Sequence, residues 1–349
     1  MSIQLGPIAM LGSGETSLAG RRIFEAVAEK LNRPVRVALL ETPAGFELNS
    51  TQVTGRVGEF LQKRLRNYDL IVRSIPARKR GTPYSPDDPE ILEWLSSANL
   101  IFMGPGSPTY AVRQLQDSLA WDLVRARHRQ GAALVFASAA MIAVGKFALP
   151  VYEIFKVGED VRAVPGLDLF GDFGMALSFI PHWNNLDGGE GLDTSRCFIG
   201  LERFNQWCAD LPEEHVTLGL DEHTGLLIDF QAGVCRISGV GSATLVGGGE
   251  LKTYPSNGEF PIGELGPFEL GHEGNIRPEA WKMLDNPSGH VETKQIPNEI
   301  QMLLKERQQA RDRYDWQLSD EIRSEIVARG WLVEDTQEGS RLKPGTNVQ

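Results

Sequence analysis

Ser138 lies where a nucleophilic serine would be expected. It follows the apolar run 132–136 and precedes small residues at 139–145, so the sequence predicts a strand, a tight turn and a helix. Such a turn exposes the hydroxyl oxygen, and the N–H group of Ala139 and the positive end of the helix can stabilise an oxyanion. These turns usually carry glycine two residues either side of the serine, where this chain has Phe136 and Ala140. The alternative hypothesis is that Ser138 is only a helix N-cap.

His182 is the histidine best placed to act as a base. It follows the predicted strand 176–180, so it should emerge at the same sheet edge as Ser138. Glu222 follows the apolar run 217–220 and offers a carboxylate to orient the histidine. The chain order Ser138, His182, Glu222 differs from that of α/β-hydrolases and of chymotrypsin-like and subtilisin-like enzymes. The other five histidines lie in polar or linker contexts: His128, His215, His223, His272 and His290.

The elements that must position these residues alternate in a regular way. From residue 7 to about 249, short apolar runs with strand character alternate with helical periodicity. This alternation predicts an α/β fold with a doubly wound, mostly parallel sheet, in which functional groups gather after the carboxyl ends of strands. Later runs at 217–220, 225–229, 233–237 and 244–246 predict antiparallel strands that cap the sheet edge.

Composition changes along the chain predict three segments. Residues 1–250 form the α/β domain, residues 251–295 are rich in Gly and Pro and indicate a linker or arm, and residues 296–345 form a helical module. In the last segment, apolar residues at helical spacing predict a compact hairpin of two helices that ends at Gly330. Arg307 falls on the apolar face of the first helix, which predicts an ion pair between Asp320 and either Arg307 or Arg311.

Charge and cysteine content exclude several classes of protein. The 349 residues are 41% hydrophobic and 23% charged with a formal net charge of −11, so no large basic field exists to attract nucleic acid or a membrane. We expect no signal peptide, because the first residues contain no basic stretch followed by an apolar core, and no membrane span, because Lys146 and Pro150 interrupt the most apolar later segment. The three cysteines include no Cys-x-x-Cys pair, which argues against disulfides and a zinc site and favours the cytoplasm.

Five short segments together resemble one family of enzymes. Residues 11–15, 102–107, 137–140, 181–183 and 219–224 resemble the cyanophycinase and dipeptidase E family of serine peptidases, over about residues 7–249. The resemblance implies a class I glutamine amidotransferase-like fold. It also implies that Ser138 is the nucleophile, His182 the general base and Glu222 its orienting partner, with an oxyanion hole made by the N–H groups of Ala139 and Gly106.

The same resemblance implies an activity. It predicts hydrolysis of a small peptide or isopeptide, such as an aspartyl or β-aspartyl peptide, through an acyl-enzyme without metal or organic cofactor. A substrate carboxylate would require a cation, for which Arg196 and Arg203 on the predicted helix after the His182 loop are candidates. The chain departs from the family with Phe-Ala-Ser-Ala-Ala at the turn and Gly-Pro-Gly-Ser-Pro in the oxyanion loop, where Pro105 and Pro108 lack an N–H group.

A glycine-rich loop offers a competing interpretation. Residues 12–17 come close to a dinucleotide-binding fingerprint, since they follow a strand and precede a helix, and Glu41 ends the next strand. The third glycine is replaced by Ser17, and the carboxylate of Glu15 would face the pyrophosphate. The sequence therefore disfavours a nucleotide site.

The end of the chain has its own resemblance. Residues 296–300, 307–311, 316–323 and 330–336 are similar to the C-terminal region of cysteinyl-tRNA synthetases, which lies near the anticodon. The catalytic motifs of those enzymes are missing, so aminoacylation is excluded. Residues 291–349 carry nine Lys and Arg against eleven Asp and Glu, a poor footprint for RNA binding. An alternative function is a non-catalytic binding protein that engages tRNA or a protein partner through this tail. No pattern predicts an oligomeric state.

Overall fold

Two compact units make up the chain. The computed structural model describes residues 4–269, 276–285, 297–336 and 339–344, and the chain divides into the units Met1–Pro287 and Ser288–Gln349. The first unit therefore extends beyond the boundary predicted at residue 250. Within the described ranges, no helix is both long and apolar enough to cross a membrane.

The first unit contains strands and helices in alternation. Its strands are β1 (Ile8–Leu11), β2 (Arg36–Leu40), β3 (Ile71–Ile75), β4 (Leu100–Met103), β5 (Ala133–Ala137), β6 (Phe147–Ala148), β7 (Val164–Pro165), β8 (Leu177–Ile180), β9 (Val216–Leu220), β10 (Thr224–Asp229), β11 (Val234–Gly239), β12 (Ser242–Gly247), β13 (Glu250–Pro255) and β14 (Glu259–Pro261). Its helices are α1 (Leu18–Ala28), α2 (Ser50–Arg64), α3 (Pro89–Ser97), α4 (Pro108–Leu115), α5 (Leu119–Arg129), α6 (Ala139–Ala143), α7 (Gly200–Ala209) and α8 (Pro278–Asp285). A π-helical turn covers Glu153–Val157.

The larger sheet confirms the predicted fold class. It has eight strands in the order β14-β11-β10-β1-β5-β4-β2-β3. The five strands from β1 to β3 in this order are parallel, and the other three are antiparallel. Strands β1, β4 and β5 are buried along their whole length, which explains why they are continuous apolar runs rather than alternating ones.

A second sheet differs from the prediction. The runs 217–220 and 244–246 were expected to cap the edge of the first sheet, but β9 and β12 instead join β8 and β13 in a four-stranded sheet of order β13-β12-β9-β8. Of the four predicted runs, only those of β10 and β11 extend the larger sheet. The chain passes from β9 to β10 through a tight turn in which His223 has a φ of 52°. Apolar side chains of both sheets share one hydrophobic cluster, so the sheets belong to one domain.

The segment predicted as a linker or arm at 251–295 is folded where it is described. Strand β13 pairs with β12, and β14 pairs with β11. Helix α8 buries Ala280 and Leu284, and next to it Arg277 Nε donates to Asp122 Oδ2 at 2.5 Å. Among its described Gly and Pro residues, Pro255 and Pro261 end short edge strands and Gly258 lies in the turn between them, which is why the pattern resembles a linker. Residues 270–275 and 286–295 lie outside the described part of the chain.

The second unit contains the predicted helical hairpin and a strand pair. Helices α9 (Asn298–Asp312) and α10 (Trp316–Ala328) are followed by β15 (Trp331–Thr336) and β16 (Gly339–Pro344), which pair with each other. Its core contains residues from both helices and from β15: Ile300, Ile322, Ile326, Trp331 and Val333. Gly330 has a φ of 84°, the left-handed conformation expected where a helix ends in glycine.

The predicted ion pair of Asp320 is wrong. Arg307 is buried as predicted, but its Nη1 donates to Ser340 Oγ at 2.7 Å. Asp320 is exposed, and no contact between described atoms joins it to Arg307 or Arg311. The reason is the orientation of α10 about its own axis. Ser319 and Ile322 face the core, whereas Asp320 lies on the outer side of the helix.

His215 supports a prediction about stability. It is 5% exposed, packs edge-on against Phe147, and neither of its ring nitrogens has a hydrogen-bond partner among the described atoms. Burial, and then the charge of Lys146, lower its pKa to about 4. Between pH 6.5 and 4 the unfolded chain therefore binds a proton that the native state does not, and stability falls as the pH falls.

His215→Leu should raise the urea midpoint more at pH 5 than at pH 7.5. Equal gains at the two pH values would contradict this.

Candidate active site

Ser138 has the backbone conformation of a strained turn. It lies between β5 and α6 with φ 51° and ψ −118°, a conformation that costs a non-glycine residue about 1–3 kcal/mol. Its side chain makes no capping hydrogen bond to α6, so the N-cap hypothesis is wrong. Its backbone N–H donates to the Leu11 carbonyl at 3.2 Å, which ties the turn to the end of β1.

The three side chains selected from the sequence meet at one place. Ser138 Oγ lies 3.0 Å from His182 Nε2, and His182 Nδ1 lies 2.9 Å from Glu222 Oε1. His182 follows β8 and Glu222 follows β9, which are parallel neighbours, so their carboxyl ends lie side by side. This is the arrangement in which a base takes a proton from a hydroxyl while a carboxylate orients the imidazole.

Two asparagines complete the surroundings of Glu222. Asn185 is fully buried, and its Nδ2 donates to Glu222 Oε1 at 3.1 Å. Asn184 Oδ1 accepts the backbone N–H of Glu222 at 2.9 Å. Burial raises the pKa of Glu222, but the hydrogen bonds from His182 and Asn185 outweigh it and hold that pKa below its ordinary value. Neither asparagine was selected from the sequence, although both lie within three residues of His182.

The segment that carries His182 is held in a strained shape. His182 has a φ of 49°, its N–H donates to the Gly12 carbonyl at 3.2 Å, and its carbonyl accepts from Cys197 N at 3.1 Å. The ring of Phe198 packs 5.5 Å from the imidazole. These contacts fix the position of the imidazole without using its nitrogens.

The glycine-rich loop after β1 has a structural role in this site. Gly12 donates to the Thr224 carbonyl at 2.9 Å while its own carbonyl accepts from His182 N. Ser13 Oγ accepts the backbone N–H of His223 at 3.0 Å. Ser17 caps α1 with its own side chain. The loop therefore links the two segments that carry His182 and Glu222, which accounts for its glycines without a nucleotide.

Gly106 and Ala139 carry the two N–H groups that were predicted to form an oxyanion hole. The loop 104–107 after β4 is tied to the Ser138 turn, because Ala140 N donates to the Gly104 carbonyl at 3.3 Å. Gly106 has a φ of 144°, and a Cβ there would lie 2.0 Å from the Pro43 carbonyl oxygen, so only glycine fits. Among the described residues, no acceptor binds the N–H group of Gly106 or of Ala139.

The two prolines of this loop do not remove its central donor. Pro108 is the first residue of α4, a position where an N–H group has no partner within the helix. Ser107 caps the same helix by accepting Tyr110 N at 3.2 Å. Pro105 precedes Gly106 and leaves the N–H group of Gly106 in place.

The two arginines selected from the sequence have different positions. Arg196 lies before α7 rather than on it, with its guanidinium 3.9 Å from the centre of the Trp183 ring and its Nη1 donating to the Trp183 carbonyl at 3.0 Å. Arg196 is therefore attached to the segment that carries His182. Arg203 is exposed on α7, and no contact in the described part of the chain joins it to the three site residues.

A solved structure has a fold similar to that of this chain. The chain is similar to the crystal structure of a peptidase from an acI-B1 Actinobacterium, with 18% identity and a TM-score of 0.60 over 75% of this chain and 98% of that one. At this identity the likeness shows the fold alone. The chain thus shares the fold of this solved structure.

The similarity of the tail rests on sequence. Residues 293–341 match the model of the cysteinyl-tRNA ligase anticodon binding domain. Cysteine–tRNA ligases of Protochlamydia amoebophila and Methanosarcina mazei are 52% identical over 48 residues and 43% identical over 49 residues. The chain spans about a tenth of the length of these relatives. The protein thus joins the fold of a solved peptidase to a segment similar to the anticodon binding domain of cysteinyl-tRNA ligases.

Proposed function

We propose that the first unit is a serine-type peptidase or amidase that forms an acyl-enzyme at Ser138. The observation that carries the proposal is the chain of hydrogen bonds from Ser138 through His182 to Glu222, placed on a strained turn between a strand and a helix. Aspartyl and β-aspartyl peptides are the substrates we would test first.

The proposed acylation follows from the geometry. His182 Nε2 takes the proton of the Ser138 hydroxyl as Oγ attacks the carbonyl carbon of the scissile amide. The negative charge that develops on the carbonyl oxygen is stabilised by the N–H groups of Gly106 and Ala139. His182 then gives its proton to the leaving nitrogen as the carbon–nitrogen bond breaks. His182 then takes a proton from water as the water oxygen attacks the acyl carbon, and it gives that proton to Ser138 Oγ as the ester bond breaks, which releases the acid and restores Ser138.

Glu222 and Asn185 support this cycle by keeping a negative charge beside His182. The lowered pKa of Glu222 keeps it ionised at neutral pH, so it stabilises the imidazolium that forms during acylation. Asn185 shares the same carboxylate oxygen and fixes its direction. The carboxylate therefore orients the imidazole without taking its proton.

Arg196 is the better of the two candidates for binding a substrate carboxylate. It is attached to the Trp183 backbone next to His182, and its buried Nε has no acceptor among the described atoms. Arg203 has no such link to the site. We therefore retain Arg196 as the proposed partner of an acidic substrate and assign Arg203 no role.

Labelling with a fluorophosphonate tests the proposal without knowledge of the substrate. The wild type should be labelled on Ser138, Ser138→Ala should not be labelled, and Ser324→Ala, which alters an exposed serine of α10, should be labelled like the wild type. An unlabelled wild type without amidase activity on aspartyl or β-aspartyl peptides would favour the non-catalytic binding protein. Labelling that persists in Ser138→Ala would assign the nucleophile elsewhere.

The tail supports a second candidate function, contact with tRNA. Tyr314 and Trp316 are 78% and 56% exposed at the turn between α9 and α10, with ring centres 6.2 Å apart. The guanidinium of Arg311 lies 5.9 Å from the Trp316 ring. Exposed aromatic rings beside an arginine form a surface on which unpaired bases stack. We propose that this surface contacts tRNA, with a protein partner as the alternative.

Replacing one ring tests this second proposal. If bases stack on Trp316, Trp316→Ala should weaken binding of the full chain to tRNA about 10-fold, since stacking contributes about 1–3 kcal/mol per base. Met302→Ala, at an exposed position of α9, is the matched control and should leave binding unchanged. Filter binding at two salt concentrations measures both. Equal affinities of the two variants, or no binding by the wild type, would favour the protein partner.

A further inference from the structure

A groove lies outside the candidate active site, beside α1. Its cavity volume is about 340 Å³, and it is lined by α1, by β10 and β11, and by the turn 256–258 that leads into β14. Helix α1 packs on β10, where Ile23 and Leu227 belong to the same hydrophobic cluster. The groove forms where β11 extends the sheet beyond this helix.

The register of the strands decides which side chains face the groove. Leu227 of β10 is paired with Arg236 of β11, and Gly225 with Ser238, so Arg236 and Ser238 lie on the same face of the sheet as Leu227. The alternate residues Cys235 and Ile237 are buried in the main core. Strand β11 thus presents two polar side chains on the face of the sheet where its neighbour β10 packs against α1.

Two polar groups at the groove have no partner in the described part of the chain. Ser238 Oγ is buried and has no hydrogen-bond partner among the described atoms, which is costly for a hydroxyl group. Arg22 is exposed on the wall of the groove, and no ion pair or hydrogen bond in the described part of the chain engages its guanidinium. A ligand oxygen that accepts a hydrogen bond from Arg22 would give this guanidinium a partner.

The charged residues that line the groove favour a ligand with a negative charge. The lining carries Arg22, Arg236 and Glu259, and Arg236 divides its contacts between Asp229 at 3.3 Å and Glu259 at 3.4 Å. Asp229 is also paired with Lys30 at 2.8 Å. The groove therefore has one surplus positive charge in a chain whose net charge is −11, which favours a single negative charge on the ligand.

We propose that this groove binds a small amphipathic carboxylate. Its carboxylate pairs with Arg22, and its short apolar body packs against Ile23, Ala26 and Leu227. The volume is at the lower end of the range of small-molecule sites, which is sufficient for a short alkyl chain. The proposal does not depend on the proposed peptidase function.

Calorimetric titration of the full chain with hexanoate tests the proposal. The wild type should bind hexanoate saturably and should not bind hexylamine, which has the same apolar body and the opposite charge. Arg22→Ala should weaken hexanoate binding about 10-fold, as expected when a charge-assisted hydrogen bond is removed. Ala26→Trp should abolish binding, because the indole would fill the groove.

A neighbouring arginine provides the matched control. Arg21 precedes Arg22 on α1, but it pairs with Glu25 at 2.9 Å and does not line the groove. Arg21→Ala should therefore bind hexanoate like the wild type. Circular dichroism checks that each variant is folded. Equal weakening by the two arginine variants, equal binding of hexylamine, or no saturation with the wild type would overturn the proposal.

Discussion

Replacing His182 with alanine is expected to slow the reaction of Ser138 with a fluorophosphonate by about 10³-fold or more, since positioned acid–base groups contribute about 10²–10⁴-fold. The imidazole is the only described base within hydrogen-bond distance of Ser138 Oγ. Without it the hydroxyl keeps its proton and is a weak nucleophile. The measurement is the second-order rate constant of labelling, which needs no known substrate.

His223 provides the matched control for this prediction. It lies next to Glu222, and its ring is outside the chain of hydrogen bonds that ends at Ser138. Its φ of 52° is a conformation that asparagine tolerates, so His223→Asn should react within a few-fold of the wild type. A His182→Ala variant that reacts as fast as His223→Asn would remove His182 from the mechanism.

Replacing Gly12 with alanine is expected to damage both stability and reactivity. A Cβ at this position would lie 2.1 Å from the Asp221 carbonyl oxygen and 2.6 Å from that of Leu220, so the backbone must move. Overpacking of this kind costs about 1–3 kcal/mol. Because Gly12 holds the backbone of His182, the displacement should also slow labelling of Ser138 about 100-fold. Urea unfolding and the labelling rate measure the two effects.

Gly55 separates a local clash from a general effect of the substitution. It lies inside α2, and a Cβ there would meet nothing within 4 Å. Gly55→Ala should therefore stabilise the protein by about 0.5–1 kcal/mol, because alanine loses less backbone freedom in a helix. Its labelling rate should equal that of the wild type. A Gly12→Ala variant that behaves in the same way would show that the loop does not position the site.

Local patterns are sufficient to find the strand ends that carry the site. Ser138 and His182 each follow a buried apolar run, and the carboxyl ends of strands are where side chains of different elements meet. The α/β class follows from the same runs. These features depend on residues close together in the chain, so a single sequence contains the information for them.

Features that depend on distant contacts were missed or misinterpreted. Asn185 matters only because Glu222, 37 residues later, folds back against it. The glycines at 12 and 14 come close to a nucleotide-binding pattern that the sequence disfavours, and their actual role depends on contacts with the distant 221–223 turn. The separate sheet that contains β9 and β12 depends on pairing with β8, since the alternation of apolar residues indicates a strand but not its neighbour. The local pattern predicted Arg196 on a helix. Its contact with Trp183, 13 residues earlier in the chain, cannot be read from that pattern.

The division of the site between two sheets determines when the protein can act. Ser138 is synthesised 44 residues before His182, and Glu222 follows 40 residues after that. The sheet that carries His182 and Glu222 also requires β13, which ends at Pro255. A chain emerging from the ribosome therefore holds its nucleophile without a base until nearly the whole first unit has been made. Under the proposed function, hydrolysis is confined to chains that have been made at least through β13, and no shorter fragment of the nascent chain can cleave peptides around it.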